Sequence, residues 1–137
     1  MTDNLRTAAV EWQGGMRFRG GVPGRAAIVI DADGVDGPGP MVALLVAAAG
    51  CAGADIVSIL VKMQVNLTTF RMTVSGVRAD EHPKRYRSIE FQITLAGDGL
   101  DETKARRAID LSLTKYCSVL LSLNPDIAVS YQLTLTS

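Results

Sequence analysis

The sequence predicts an α+β fold in which antiparallel sheets pack on one long, buried central helix. Three observations lead there. The run Met41–Met63, "MVALLVAAAGCAGADIVSILVKM", is rich in Ala and Leu, apolar nearly all round and too long for a strand. The segments Asn66–Asp80 and Tyr86–Gly97 alternate apolar with polar residues on either side of the turn "EHPKR", the pattern of a long β-hairpin. Asp98–Cys117 opens with acids in its first turns and sets Leu100, Ala105, Ala108, Ile109, Leu111, Leu113 and Tyr116 largely on one side, which describes an amphipathic helix.

The remaining elements follow in order. "RTAAVEWQ" alternates into a short strand, "GG" turns it, and "MRFRG" is its hairpin partner, with Met16 and Phe18 on one face and Arg17 and Arg19 on the other. "RAAIVID" is a third strand. Ala32–Pro40 is a Gly/Pro/Asp-rich loop, and Pro40 suits the first turn of the central helix. After the amphipathic helix, "SVLLSL" extends it or begins a short third helix, Asn124-Pro125-Asp126 breaks the chain, and "IAVSYQLTLT" closes as a strand. No repeat or linker interrupts this plan, so residues 1–137 are expected to form a single domain.

Composition bounds the function. With 47% hydrophobic and 20% charged residues, the chain buries enough surface to offset its conformational entropy. Fourteen basic and fourteen acidic residues cancel, which leaves no positive field for nucleic acid. No apolar segment precedes the first acids, so a cytoplasmic location is expected. The uncharged run from Met41 ends at Asp55, short of the roughly 20 apolar residues of a bilayer span, so no membrane partner is expected. A single layer of strands covers only one side of a helix that is apolar on all sides. The other side is expected to meet a second copy, in an obligate homodimer.

The chemistry-bearing residues are few. Cys51 lies inside the buried helix, beyond the first turn where the macrodipole acts, so a thiolate there needs another cation. The arginines of "MRFRG" are the physical candidates. Asp55, four residues on, shares its helical face and, as a carboxylate in an apolar run, needs a partner such as Arg17, Arg19 or Arg25. Cys117 closes the amphipathic helix, so both cysteines fall on helices that share the core, where a sulfenic acid on one could reach the other. The plainer reading of each cysteine is core packing, and of Asp55 a structural ion pair.

Other patterns carry less. "RADEHPKRYR" reads as a solvated hairpin tip, and His82 with Asp80 and Glu81 has poor geometry for a metal. No CxxC exists and His82 is the single histidine, so neither a metal nor a cofactor is expected. The glycines of "GVDGPGP" lack the arrangement of a nucleotide cradle, and Ser58, Ser112 and Ser118 have no histidine base near them in sequence.

Three stretches taken together, "GPMVALLVAAAGCAGADIVSILVKM", "RADEHPKRYRSIEFQITLAG" and "RAIDLSLTKYCSV", resemble the OsmC/Ohr family, over nearly the whole chain from "VEWQGG" to "YQLTL". The resemblance implies an intertwined homodimer and a two-cysteine peroxidase. Cys51 would attack an organic hydroperoxide, Cys117 would resolve the sulfenic acid as a disulfide, Arg17 or Arg19 would hold the thiolate, and a dithiol protein, possibly lipoylated, would reduce the pair. One departure stands out. Where hydroperoxidases of the family carry a glutamate after the helix-opening proline, this chain has Met41, Val42 and Ala43, and Asp55 is the candidate replacement. The competing expectations are a non-catalytic dimer of the same fold that binds a small ligand or senses redox state, and a structural dimer whose cysteines are core filler.

Overall fold

The computed structural model describes residues 4–137, and the chain divides into two compact units, one ending at Leu44 and the other running Leu45–Ser137. The first unit is an antiparallel meander of β1 (Ala9–Trp12), β2 (Arg17–Gly21) and β3 (Ile28–Asp31); β1 and β3 are shorter than their sequence patterns, and β2 is displaced by one residue. The register sets Arg19 beside Glu11 and Val29, and Arg17 beside Asp31, on the face opposite Trp12, Phe18 and Ile30. Two arginines therefore share a face, as the alternation requires.

The loop after β3 is organised by one carboxylate. Asp31 is only 3% exposed and its side chain accepts from the backbone N–H groups of Asp33 at 2.9 Å, Val35 at 3.3 Å and Asp36 at 3.0 Å. These amides, those of Asp36 and Asp33 foremost, hold its carboxyl below the ordinary carboxylate range. Glycines and acids in this loop thus serve an Asx-type turn that leads into the helix.

Helix α1 (Pro40–Lys62) has 23 residues and continues past Asp55, long and apolar enough by length and composition alone to match a membrane span, a measure that the core helix of a soluble protein also meets. It is not buried all round. Leu45, Ala48, Ala52, Gly53, Ile56 and Leu60 form one buried stripe, while Val42, Val46, Val57 and Val61 are 38–59% exposed. The stripe recurs every third or fourth residue, the spacing that keeps side chains on one face, and burying Ile56 or Leu60 alone contributes about 1.5–3 kcal/mol.

In the second unit, β4 (Asn66–Arg78) and β5 (Tyr86–Asp98) make the long antiparallel hairpin, and β6 (Ala128–Leu135) joins the far edge of β5. Ile89, Phe91, Ile93 and Leu95 are fully buried on one face of the central strand, level with Val74 and Met72 on β4 and with Val129 and Leu133 on β6. The opposite face carries Arg71, Thr73, Ser75 and Gln92, all exposed. On the apolar face Gly53 of α1 meets the Phe70 ring, which shows where helix and sheet touch.

The β5–β6 pair is parallel, which corrects the expected all-antiparallel pairing. The connection explains it. Between these strands the chain makes α2 (Glu102–Leu111), a π-helical turn (Ser112–Tyr116) and α3 (Ser118–Leu121), a helical crossover that returns it to the starting end of β5. Helix α2 begins four residues later than its acids suggest, because Asp98 still belongs to β5 and Asp101 is the cap, accepting from Lys104 N–H at 2.8 Å. Instead of one helix to Cys117, the segment changes its winding at Ser112.

Candidate functional site

The site begins with spacing on α1. Cys51 and Asp55 lie four residues apart and share a helical face beside the buried Ala48 and Ala52. Alanines there let a second helical segment come close enough to touch α1 backbone carbonyls. The Ser112 hydroxyl sits 3.2 Å from the Ala52 carbonyl, and the Cys117 sulfur 3.9 Å from that of Ala48.

The π-helical turn brings both residues to that face. In a regular α-helix residues five apart point about 140° away from each other, so Ser112 and Cys117 could not both face α1. Here the Cys117 amide closes a wide turn on the Ser112 carbonyl at 2.7 Å, and Cys117 itself is extended, at φ −69° and ψ 99°, which ends the winding. Both residues are fully buried.

The result is one cluster. The ligand atoms of Cys51, Asp55 and Cys117 all lie within 4.8 Å of one another, the closest such group of His, Cys, Asp and Glu side chains among the described residues. Both cysteines are free thiols, Cys51 partly exposed and Cys117 buried. The partner of Asp55 is Ser112, whose hydroxyl donates to Oδ2 at 3.2 Å. That is a neutral donor, from a segment 57 positions away. With one hydroxyl proton and two acceptors at 3.2 Å, Ser112 serves Ala52 and Asp55 in alternation.

Burial pushes the Cys117 thiol up to about 11, from an ordinary 9.0; the Cys51 sulfur it faces and the negative charge of Asp55 add to the rise, and the Leu120 amide opposes it. Cys117 therefore holds its proton to higher pH than an ordinary thiol. Cys51, reachable from solvent, is the member a reagent meets first.

Arg17 and Arg19 belong to the N-terminal unit. There Arg17 donates to the Gln13 carbonyl at 3.0 Å and pairs with Asp36 at 3.5 Å, in an exposed contact of the kind that contributes little to stability. The hairpin tip carrying Arg78, Lys84 and Arg85 is tied down within the second unit, with Arg85 paired to Asp126. His82 there is exposed. Ser112 is the residue that sequence reasoning weighed only as a nucleophile and set aside. Its signal was a lone polar residue between Ile109 and Leu113 on the apolar side of an amphipathic helix.

Comparison with known proteins sharpens this picture. Residues 32–132 match the model of the family described as OsmC-like protein. The chain is 33% identical over 125 residues to Protein YhfA of Escherichia coli K12, an alignment that covers 90% of this chain and 93% of that one. Among solved structures, a hypothetical protein from Aquifex aeolicus superposes with a TM-score of 0.84 at 26% identity, covering 98% of this chain and 99% of that one. The organic hydroperoxide resistance protein OhrB of Bacillus subtilis superposes with a TM-score of 0.62 at 19% identity, over 94% and 98% of the two chains, a likeness of fold.

Proposed function

The chain belongs to the OsmC-like protein family, and from that premise we propose that it is a thiol peroxidase of the cytoplasm acting on organic hydroperoxides. The observation that carries this reading is the approach of two free thiols, one partly exposed and one buried, with ligand atoms within 4.8 Å alongside a carboxylate. On this reading the labour is divided between the two sulfurs. The Cys51 thiolate attacks the terminal peroxide oxygen, the O–O bond breaks, and the alkoxide leaves as the alcohol after taking a proton, with Cys51 now a sulfenic acid. The Cys117 sulfur then attacks the Cys51 sulfur, a disulfide forms and water leaves. Cys117 must lose its proton in that step, and Asp55, within 4.8 Å, is the acceptor at hand, with Ser112 steadying the carboxylate. A dithiol reductant, such as a lipoylated protein, restores both thiols by exchange.

In this reading the cation that holds the Cys51 thiolate is Arg17 or Arg19, as the family resemblance implies. The working form is a homodimer. Support for it comes from the exposed valines of α1 and from Val10, Trp12, Phe18 and Ile28, which leave one side of the N-terminal sheet apolar and open to water. Sedimentation velocity checks this directly, with a species of twice the chain mass expected.

A second reading keeps the fold without turnover, as a small-ligand-binding or redox-sensing dimer. Met41, Val42 and Ala43 in place of the family glutamate favour it, as does the neutral partner of Asp55. One experiment separates the two. Reduced protein is given one equivalent of cumene hydroperoxide and its free thiols and cumyl alcohol are counted. A peroxidase loses two thiols and forms one alcohol per chain, Cys51→Ser forms none, and Cys117→Ser halts at a sulfenic acid that dimedone traps. Survival of both thiols in the wild type under excess peroxide overturns the peroxidase reading and leaves the non-catalytic one.

A further inference from the structure

The three side chains that make a redox site also make a donor set of a different kind. We propose that Cys51, Asp55 and Cys117 bind a zinc ion with one coordination position open, and that metal binding and disulfide formation exclude one another. Two thiolates and a carboxylate suit zinc far better than magnesium or calcium, which prefer oxygen alone. Three protein ligands with a vacant fourth position is the arrangement of a reactive rather than a purely structural zinc.

The distances allow it. Tetrahedral zinc, with Zn–S near 2.3 Å and Zn–O near 2.1 Å, separates two sulfurs by about 3.8 Å and a sulfur from an oxygen by about 3.6 Å. The three ligand atoms already lie within 4.8 Å of one another, about an ångström beyond the separations that a bound ion requires. The ligands come from two elements fixed against each other, since Ala52 and Ala48 of α1 receive Ser112 and Cys117.

The surroundings match what a metal ligand needs. Ser112 donates to Asp55 Oδ2, which orients the carboxylate and leaves Oδ1 to the ion. The Cys117 sulfur lies 3.9 Å from the Ala48 carbonyl, which places it against the helix that carries the other two donors. Cys117 closes the inner side of the cluster while Cys51, partly exposed, leaves a way in. Sequence spacing concealed all this, because the pair is neither CxxC nor accompanied by a histidine, and only the π-helical turn delivers the second sulfur.

The exclusion follows from the sulfurs themselves, since both are consumed by either event. Loading releases two protons, one from each thiol. Oxidation of the loaded site, on the peroxidase reading, balances as two bound thiolates, one hydroperoxide and two protons giving a disulfide, an alcohol, one water and a freed zinc ion. The ion thus guards the dithiol in the reduced state, and its loss opens the site to exchange.

The test needs no turnover. Reduced, chelator-treated protein is titrated with zinc by calorimetry and with cobalt as a spectroscopic substitute. One equivalent per chain, with intense sulfur-to-cobalt charge-transfer absorption and tetrahedral visible bands, is expected. Cys51→Ala, at a partly exposed position, abolishes the charge-transfer pattern of two thiolates, and Asp55→Asn weakens zinc at least about tenfold. Diamide-oxidised protein takes up none, and thermal melts confirm that each variant is folded. The proposal fails if folded wild type binds less than one zinc per chain, or if Asp55→Asn and oxidation leave the affinity unchanged. Because the readout is metal uptake, failure here leaves the peroxide result standing, and absence of peroxidase turnover leaves this one standing.

Discussion

Ser112, fully buried, holds Asp55 through a 3.2 Å hydrogen bond from its hydroxyl to Oδ2, across 57 positions of sequence. The same residue receives the Cys117 amide on its carbonyl at 2.7 Å. One side chain and its own backbone thus position both the carboxylate and the second thiol. Ser112→Ala leaves a part-buried carboxylate and a buried Ala52 carbonyl without this donor, at an expected cost of about 1–3 kcal/mol. Urea denaturation of reduced, metal-free protein measures it. A midpoint equal to wild type would mean that the hydroxyl contributes nothing.

The raised Cys117 thiol makes stability depend on alkali. Its folded value of about 11 exceeds the ordinary 9.0, so between these values the folded chain keeps a proton that the unfolded chain releases. The contribution is fully present below about 9 and is lost as pH rises through about 11. Reduced, metal-free wild type should therefore lose stability over that window. Cys117→Ala, lower overall, should show a flatter alkaline limb, and equal slopes would count against the assignment.

Asp55 contributes to that rise through its charge. In a Cys51→Ser background, where a single thiol is left, Asp55→Asn should move the Cys117 titration to lower pH, read by the ultraviolet absorbance of the thiolate. A titration that stays put would show that burial alone holds the proton. In wild type at neutral pH, iodoacetamide should label Cys51 well before Cys117, with peptide mass spectrometry giving the site.

Much of the fold could be read from periodicity because its main elements are long. Met41–Met63 differs from α1 by one residue at each end, and the alternation of Asn66–Asp80 and Tyr86–Gly97 gives β4 and β5 nearly to the residue. The parallel β6 was hidden because strand alternation does not encode direction; only the helical length of the connection does. Nor does periodicity register a change of winding at Ser112, since the residues on either side remain helix formers. That turn decides whether Cys117 meets Cys51, so the two sulfurs were visible in the sequence while their approach was not. The Ser112 donor to Asp55 was hidden for a related reason. A part-buried carboxylate in an apolar run requires a donor, but the requirement does not say whether the donor is charged, and Ser112 supplies one from a distant segment.

Helix and sheet approach so closely at Gly76 that a side chain there has no room. A Cβ on Gly76 would stand 2.5 Å from the Tyr86 ring and 3.3 Å from a Leu45 methyl, and Tyr86 is itself 4% exposed. Gly76→Ala should destabilise by about 1–3 kcal/mol through overpacking, seen as an earlier thermal midpoint. Trimming the obstacle should help. The pair Gly76→Ala with Tyr86→Leu should cost less than the sum of the two single changes, and strict additivity would show that the ring is not what the methyl strikes.

Asp31 sets the acid limit of the N-terminal unit. Its carboxylate gathers the amides of Asp33, Val35 and Asp36, and its folded value lies below the ordinary 3.8. The sign is opposite to that of Cys117. As pH falls from about 3.8 toward the folded value, the unfolded chain binds a proton that the folded chain refuses, so the stabilisation is present above that range and lost on descending through it. Asp31→Asn keeps the shape but presents an amide with donors toward three N–H groups. It should be less stable than wild type at pH 7, with the difference shrinking as pH is lowered through the acid window, and hydrogen exchange at Asp33, Val35 and Asp36 should quicken. Were the gap between variant and wild type constant down to the acid transition, the three amides would be holding the loop without discriminating the charge, and the carboxylate would not be what shapes the approach to α1.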